Sequence, residues 1–247
     1  MSTGFDHIDV KYANSKNIPV CNVPNYGENT VAEHAFALIL SISRKIIESN
    51  YRTKKGNFDF TGLVGFDLKG KTFGAVGTGR ISAHAIKMAK GFDMEVLGYD
   101  MFQNNDLVKN YGLKYVDIDT LLKNSDIVSL HLPLNDQTRH IINKKNIKLM
   151  KKSAILINTA RGGLVDTKAL IDVLAKQSIA GAGLDVLEDE KNKNSSENKK
   201  LLKFANVIIT PHNAFNSHEA LRRIVDTTIT NVKEFNSGKI NNAIILK

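Results

Sequence analysis

An arginine, a carboxylate and a histidine each follow a late apolar run in this 247-residue chain. Residues 154–159 lead into Arg161, residues 181–186 into Asp185 and Glu190, and residues 207–210 into Pro211 and His212. If those runs are parallel strands, their carboxyl ends share one edge, where open α/β sheets bind ligands. Arg161 can pair bidentately with a substrate carboxylate and polarise the carbonyl beside it. His212 can give a proton to that carbonyl oxygen as hydride arrives from a nicotinamide. Glu190, hydrogen-bonded to His212, would orient the ring and raise its pKa so that it stays protonated. Reduction of a 2-keto acid needs this set of groups.

The hydride donor has its own signature. The run 71–77 enters Gly77-Thr78-Gly79-Arg80-Ile81-Ser82 and then a helical stretch. Gly77 permits a tight turn, Gly79 lets backbone approach a pyrophosphate, and the helix start offers unpaired N–H groups with a favourable dipole. Ser82 stands where a third Gly or Ala is usual, which predicts slightly looser packing of helix on strand. Asp100 ends the next run, 23 residues after Gly77, where a carboxylate can hold the ribose hydroxyls of NAD and repel the extra phosphate of NADP. No arginine follows directly in Met101-Phe102-Gln103, so NAD is the expected cofactor.

These residues need elements to position them. Strand-like runs at 71–77, 95–100, 127–132, 154–159, 181–186 and 207–210 are rich in Val, Ile and Leu, as strands buried on both faces are. Helical patterns lie between most of them, and this alternation predicts an α/β fold, a doubly wound parallel sheet wrapped by helices. Two long helices stand outside that core. One is predicted from a capping box at Thr30 and Glu33 to about Ser49. The other starts near Ser217, carries Leu221, Ile224, Val225, Thr228, Ile229, Val232 and Phe235 on one face as an ordinary packing stripe, and stops at Gly238. The stretch 188–200 (EDEKNKNSSENKK) is of low complexity, and no internal repeat is visible.

Composition bounds the function classes. With 42% hydrophobic residues the chain can fill a core, which excludes intrinsic disorder. The longest apolar stretch, around 35–42, is too short to span a membrane, and the first residues lack the pattern of a signal peptide. The lone cysteine, Cys21, cannot form an internal disulfide, so a cytoplasmic location is expected. The net charge is +9, but acidic residues are interleaved with the lysines, so no nucleic-acid partner is expected. A basic field favours small anionic ligands, and no metal site is expected.

The residues taken together resemble the D-isomer-specific 2-hydroxyacid dehydrogenases. The matching stretches are 2–9 (STGFDHID), 22–34 (NVPNYGENTVAEH), the glycine motif, 130–133 (LHLP), 158–166 (NTARGGLVD), 183–190 (GLDVLEDE) and 210–215 (TPHNAF). Within the family, Phe215 and the stretch 57–66 (NFDFTGLVGF) look most like D-lactate dehydrogenases. The resemblance implies that Arg161 binds substrate, Glu190 assists and His212 donates the proton. It implies an NAD site lined by Gly77, Gly79, Arg80, Ile81, Asp100, Leu132, Pro133, Thr138, Thr159, Ala160, Arg161 and Asp185. Thr3, Gly4 and Tyr26 would touch the substrate, with backbone N–H groups at Thr3 and Gly4 offered to its carboxylate.

Family members begin with a smaller flavodoxin-like substrate domain, and Met1 here stands just before a motif that normally follows several of its strands and helices. Residues 1–26 therefore read as a remnant of that domain, 27–215 as the Rossmann NAD-binding domain, and 216–247 as the helix and tail that return to the first. On that reading cofactor binding survives better than turnover. The resemblance also implies a homodimer, with the helix after Thr30 near the interface. Pyruvate and D-lactate are the expected substrate pair. The alternatives are a bulkier D-2-hydroxy acid, or a non-catalytic NAD-binding fragment or interaction protein.

Overall fold

Apolar residues on successive positions of a strand face opposite sides of a sheet, so two cores are expected wherever a run is continuously apolar. The structure, a computed structural model, describes residues 3–5, 8–192 and 194–244, and the chain divides into two units, residues 31–214 and residues 1–30 with 215–247. The larger unit holds one parallel sheet of β1 (Thr72–Val76), β2 (Glu95–Tyr99), β3 (Lys114–Tyr115), β4 (Ile127–Leu130), β5 (Ile155–Asn158), β6 (Gly181–Leu184) and β7 (Val207–Ile209). Their order is β3-β2-β1-β4-β5-β6-β7, so the winding reverses between β1 and β4.

Helix α1 (Val10–Ser15) belongs to the smaller unit, and α2 (Glu28–Ser43) and α3 (Ile46–Lys54) precede the sheet. Crossovers are made by α4 (Arg80–Gly91), α5 (Asn105–Tyr111), α6 (Ile118–Asn124), α7 (Thr167–Ala175) and α8 (Ser196–Leu201), and α9 (His218–Asn236) follows the last strand. Ile155 and Ile157 of β5 pack into one core with Phe36, Ile39, Phe73 and Ile86, whereas Leu156 between them packs with Leu121, Leu130 and Leu170 on the other face. Each such side chain contributes about 1.5–3 kcal/mol on burial.

Register sets the functional edge. Val76 pairs with Tyr99 and Leu130, Leu130 with Asn158, Asn158 with Leu184, and Leu184 with Ile209. One residue further along each strand stand Asp100, Gly77, His131, Thr159, Asp185 and Thr210. Residues dispersed over 134 positions of sequence therefore form one row at the carboxyl edge.

Several sequence expectations need correction. The two-residue β3 was not foreseen, because two residues carry no periodicity. The helix predicted from Thr30 to Ser49 is two helices, and it begins at Glu28. The Ser43 carbonyl accepts the Phe66 N–H at 2.9 Å, which occupies the acceptor that the next helical turn would use, and Lys45 takes φ +53°. Thr30 is the third residue of α2 rather than its cap. Its hydroxyl lies 3.4 Å from Ser217 Oγ and from an Arg223 Nη.

In the smaller unit, α9 is capped by Ser217, whose Oγ accepts from the Ala220 N–H at 3.2 Å, as its sequence predicts. Its apolar stripe does not pack as expected: Ile224 is buried, but Leu221, Val225, Ile229, Val232 and Phe235 are 41–55% exposed. Asn22 N–H donates to Asn242 O and Ile244 N–H to Val20 O, joining the two ends of the described chain.

Candidate active site

The turn after β1 begins with Gly77 at φ +95°, a left-handed conformation that side chains disfavour. A Cβ there would also come within 2.9 Å of the His131 backbone and 3.0 Å of Leu132. Gly79 is the N-cap of α4, and nothing lies within 4 Å of where its Cβ would be, so the first turn of this 12-residue helix opens onto free space. Ser82 is fully buried, with its Oγ lacking a hydrogen-bond partner among the described residues. Arg80 is exposed and Ile81 half-buried on the same first turn.

Asp100 closes this loop. One carboxylate oxygen accepts from the Thr78 N–H at 2.6 Å and from the Thr78 hydroxyl at 3.2 Å, and the other accepts from the Phe102 N–H at 3.1 Å. Tyr115 donates to Thr78 Oγ1 at 2.8 Å and accepts from the Asn104 N–H at 2.7 Å. Thr78, Gly79, Asp100, Phe102, Gln103 and Asn104 line an open groove of about 530 Å³. A glycine cradle, a helix start and a half-buried carboxylate in one groove suit the pyrophosphate and adenosine ribose of NAD.

Further along the edge, Thr159 is buried, and its hydroxyl has no hydrogen-bond partner among the described residues, which suits it to a polar ligand group. Leu132 and Ala160 are half-buried, and Pro133 is exposed. Thr138 is turned inward: its hydroxyl donates to Pro133 O at 2.6 Å and accepts from the Asn135 N–H at 2.9 Å, so it shapes the 133–138 turn. His131 Nε2 is enclosed without a partner among the described residues, and burial pushes the imidazole pKa down to about 4.

Arg161 is half-buried and donates from Nη1 to the Ala160 carbonyl at 2.7 Å. Asn158, which sequence reasoning missed, builds its turn by donating to Arg161 O at 2.9 Å and accepting from the Ala160 N–H at 3.0 Å. Glu190 Oε1 lies 2.7 Å from His212 Nδ1. Both side chains are partly exposed, 36% and 44%. His212 takes φ +53°, and its N–H is held by Asp185 O at 2.9 Å and Thr210 O at 3.0 Å.

Asp185 lies beneath this loop, 1% exposed. Its carboxylate accepts from the Thr210 hydroxyl at 2.5 Å and from the N–H groups of Asn213 at 3.0 Å and Ala214 at 2.9 Å. His34 Nε2 is 3.0 Å from Thr210 Oγ1 and 3.5 Å from Asp185 Oδ1. A buried carboxylate survives only with such partners, and here they fix the histidine loop. The spacing that placed Asp185 at the edge gave no sign of this structural duty.

The larger unit thus brings Arg161, Glu190 and His212 to loops on one edge, together with the glycine turn and Asp100. Thr3, Gly4 and Tyr26 belong to the smaller unit. There Thr3 donates its hydroxyl to Val23 O at 2.8 Å, Tyr26 O accepts from Arg223 Nε at 2.6 Å, and the Tyr26 ring meets that of Phe215 edge-on, with centroids 6.3 Å apart. Among the described residues no group of side chains could hold a metal ion, and no helix is long and apolar enough to cross a membrane.

Comparison with known proteins places these features in context. Residues 36–214 match the family model described as D-isomer specific 2-hydroxyacid dehydrogenase, NAD binding domain. A glyoxylate reductase of Korarchaeum cryptofilum is 40% identical over 243 residues, which cover 97% of this chain and 72% of that protein. The D-lactate dehydrogenase kk1H of Curvularia clavata is 39% identical over 246 residues, covering 96% and 70%. The crystal structure of D-lactate dehydrogenase from Aquifex aeolicus, complexed with NAD and lactic acid, superposes with a TM-score of 0.92 at 40% identity, covering 100% of this chain and 79% of that one.

Proposed function

The chain belongs to the D-isomer-specific 2-hydroxyacid dehydrogenases, NAD-dependent oxidoreductases, and from that premise we propose that its reaction is the reduction of pyruvate to D-lactate. The observation that carries the reading is the 2.7 Å pairing of Glu190 with His212 on the same sheet edge as Arg161 and the glycine turn. Bound NADH supplies the hydride. The glycine turn and the start of α4 hold its pyrophosphate, Asp100 its ribose, and the Thr159 hydroxyl another polar group.

Arg161 pairs with the substrate carboxylate and polarises the adjacent carbonyl. With Nδ1 of His212 committed to Glu190, Nε2 is the atom that gives its proton to the carbonyl oxygen. The keto acid gains one hydride and one proton, and the proton on His212 is replaced from solvent. By the family resemblance, Thr3, Gly4 and Tyr26 would touch the substrate, with backbone N–H groups at Thr3 and Gly4 offered to its carboxylate. The resemblance of Phe215 and the 57–66 stretch to D-lactate dehydrogenases supports pyruvate. Glyoxylate is the second reading, favoured by the Korarchaeum relative.

The test is NADH oxidation by the purified chain with pyruvate and with glyoxylate, beside a His212→Ala control. A higher kcat/KM for pyruvate that vanishes in the control supports the proposal, and a higher value for glyoxylate transfers it to the second reading. Folded protein that binds NADH and turns over neither acid would leave a non-catalytic NAD-binding protein.

A homodimer in the cytoplasm is proposed with this function. Phe58, Phe60 and Val64 are 80%, 82% and 84% exposed, apolar side chains of the kind a partner surface covers. Sedimentation of the parent chain and of Phe60→Asp checks it: a monomeric parent would end the proposal.

A further inference from the structure

The loop after β6 carries Asp185, Glu188, Asp189 and Glu190, and Glu188 is used neither by the chemistry nor by the histidine loop. Glu188 Oε1 lies 2.8 Å from His140 Nε2 and accepts from Arg139 Nη1 at 3.3 Å, while Oε2 accepts from the Thr167 hydroxyl at 3.0 Å. Its backbone carbonyl accepts from Asn198 Nδ2 at 2.9 Å. Burial of this carboxyl would raise its pKa, but the hydrogen bonds from His140 and Thr167 outweigh that effect and hold it below the usual range. His140 and Thr167 belong to the segments after β4 and β5.

Those segments are themselves joined. His140 N–H donates to Gly163 O at 2.9 Å, and Ile142 N–H to Leu164 O at 3.1 Å. Backbone contact completes the arrangement, because a methyl at Gly162 would overlap the Leu187 carbonyl and the Glu188 amide. The loop bearing Arg161 and the loop bearing Glu190 therefore touch at Gly162 and are stitched by one side chain.

We infer that Glu188 is a positioning residue: by tying the 185–190 loop to the segments after β4 and β5, it holds Glu190 against Nδ1 of His212. The inference rests on the Glu190–His212 pairing of the proposed function and assigns a further residue to it. Only Asp189 stands between the anchor and the acting carboxylate, so loss of the Glu188 side chain leaves this partly exposed segment to the Asn198 bond at the Glu188 carbonyl, the close approach of Gly162 and the 3.5 Å contact of the Leu187 N–H with Glu190 Oε2. Charged groups facing Glu188 are His140 and Arg139, and Glu190 faces His212.

The experiment reads the tautomer of His212 in the full chain by ring ¹⁵N shifts at alkaline pH, where the ring is neutral. A carboxylate at Nδ1 keeps the proton there, and a ring without it reverts to the balance of a free side chain. The parent is expected to show the Nδ1–H form, Glu190→Ala to lose it, and Glu188→Ala to lose it while still binding NADH, whose cradle lies on other strands. Thr167→Val, which removes one tie at nearly constant volume, should give a weaker form of the same loss and serves if Glu188→Ala does not fold. A parent-like His212 in both Glu188→Ala and Thr167→Val, with Glu190→Ala altered, would overturn the role of Glu188 alone. A parent-like His212 in Glu190→Ala would instead overturn the pairing on which both readings stand.

Discussion

Glu190 Oε1 lies 2.7 Å from Nδ1 of His212, across 22 residues of sequence, and the contact decides which ring nitrogen is free for chemistry. With Nδ1 engaged, Nε2 is the atom to which the proposed function assigns the proton transfer. Replacing His212 by alanine removes the general acid and should lower kcat about 10²–10⁴-fold. Glu190→Gln keeps an acceptor near Nδ1 but removes the charge that stabilises the imidazolium, so a smaller loss of kcat is expected, with KM for NADH unchanged. Steady-state kinetics of both variants check this, and a Glu190→Gln chain with parental kcat would remove Glu190 from the mechanism.

Asp100, assigned to the NAD ribose under the proposed function, has a carboxylate that already holds the turn through Thr78 and Phe102. Hydrogen bonds to a charged group contribute about 1.5–3 kcal/mol each. Asp100→Ser is therefore expected to weaken NADH binding about ten- to a hundredfold. It should also narrow the gap between NADH and NADPH, because the repulsion of a 2′-phosphate is gone. Fluorescence titration with both cofactors measures the two effects, and unchanged discrimination would move the ribose contact elsewhere.

The edge residues were legible because they obey a simple rule: polar residues that directly follow apolar runs stand at strand ends. Arg161, His212 and Asp100 were found that way, and register now places Asp100, Thr159 and Asp185 in one row. What stayed hidden are contacts that cross between loops. Nothing in the spacing of Glu188, Thr167 and His140 announces that they meet, and Asn158 reads as one more strand residue until its side chain is seen bridging Ala160 and Arg161. The break between α2 and α3 was hidden for a similar reason. The apolar period of the helix continues past Ser43, and the interruption comes from a backbone N–H of Phe66, 23 residues later.

Asp185 tests whether the histidine loop is prebuilt. Asparagine at this position keeps the shape but turns an NH₂ group toward donors, either the Ala214 N–H or the Thr210 hydroxyl and Asn213 N–H. The expected cost is about 1.5–3 kcal/mol of folding stability. Because the same loop fixes His212, kcat should fall as well, even where the variant remains folded. Denaturant unfolding with parallel kinetics reads both quantities. A stability loss with parental kcat would mean that the loop finds its geometry without the carboxylate.

His131 gives the fold a pH dependence of its own. Its pKa is about 4 in the folded chain, against 6.5 for an unburied histidine, so between these values the unfolded chain binds a proton that the folded chain refuses. Stability from this residue is therefore complete above pH 6.5 and is lost as pH falls toward 4, by about 3 kcal/mol in all. Glu188 acts in a lower window. Its folded pKa lies below the ordinary 4.5, so its contribution is present above 4.5 and is lost as pH falls through the folded value. Urea unfolding of the parent chain should show stability declining through both windows. His131→Asn should flatten the curve between pH 4.5 and 6.5 while leaving the steeper loss below 4.5. If the variant's curve in the upper window has the parent's slope, the proton uptake belongs to another group and His131 is not held neutral by the fold.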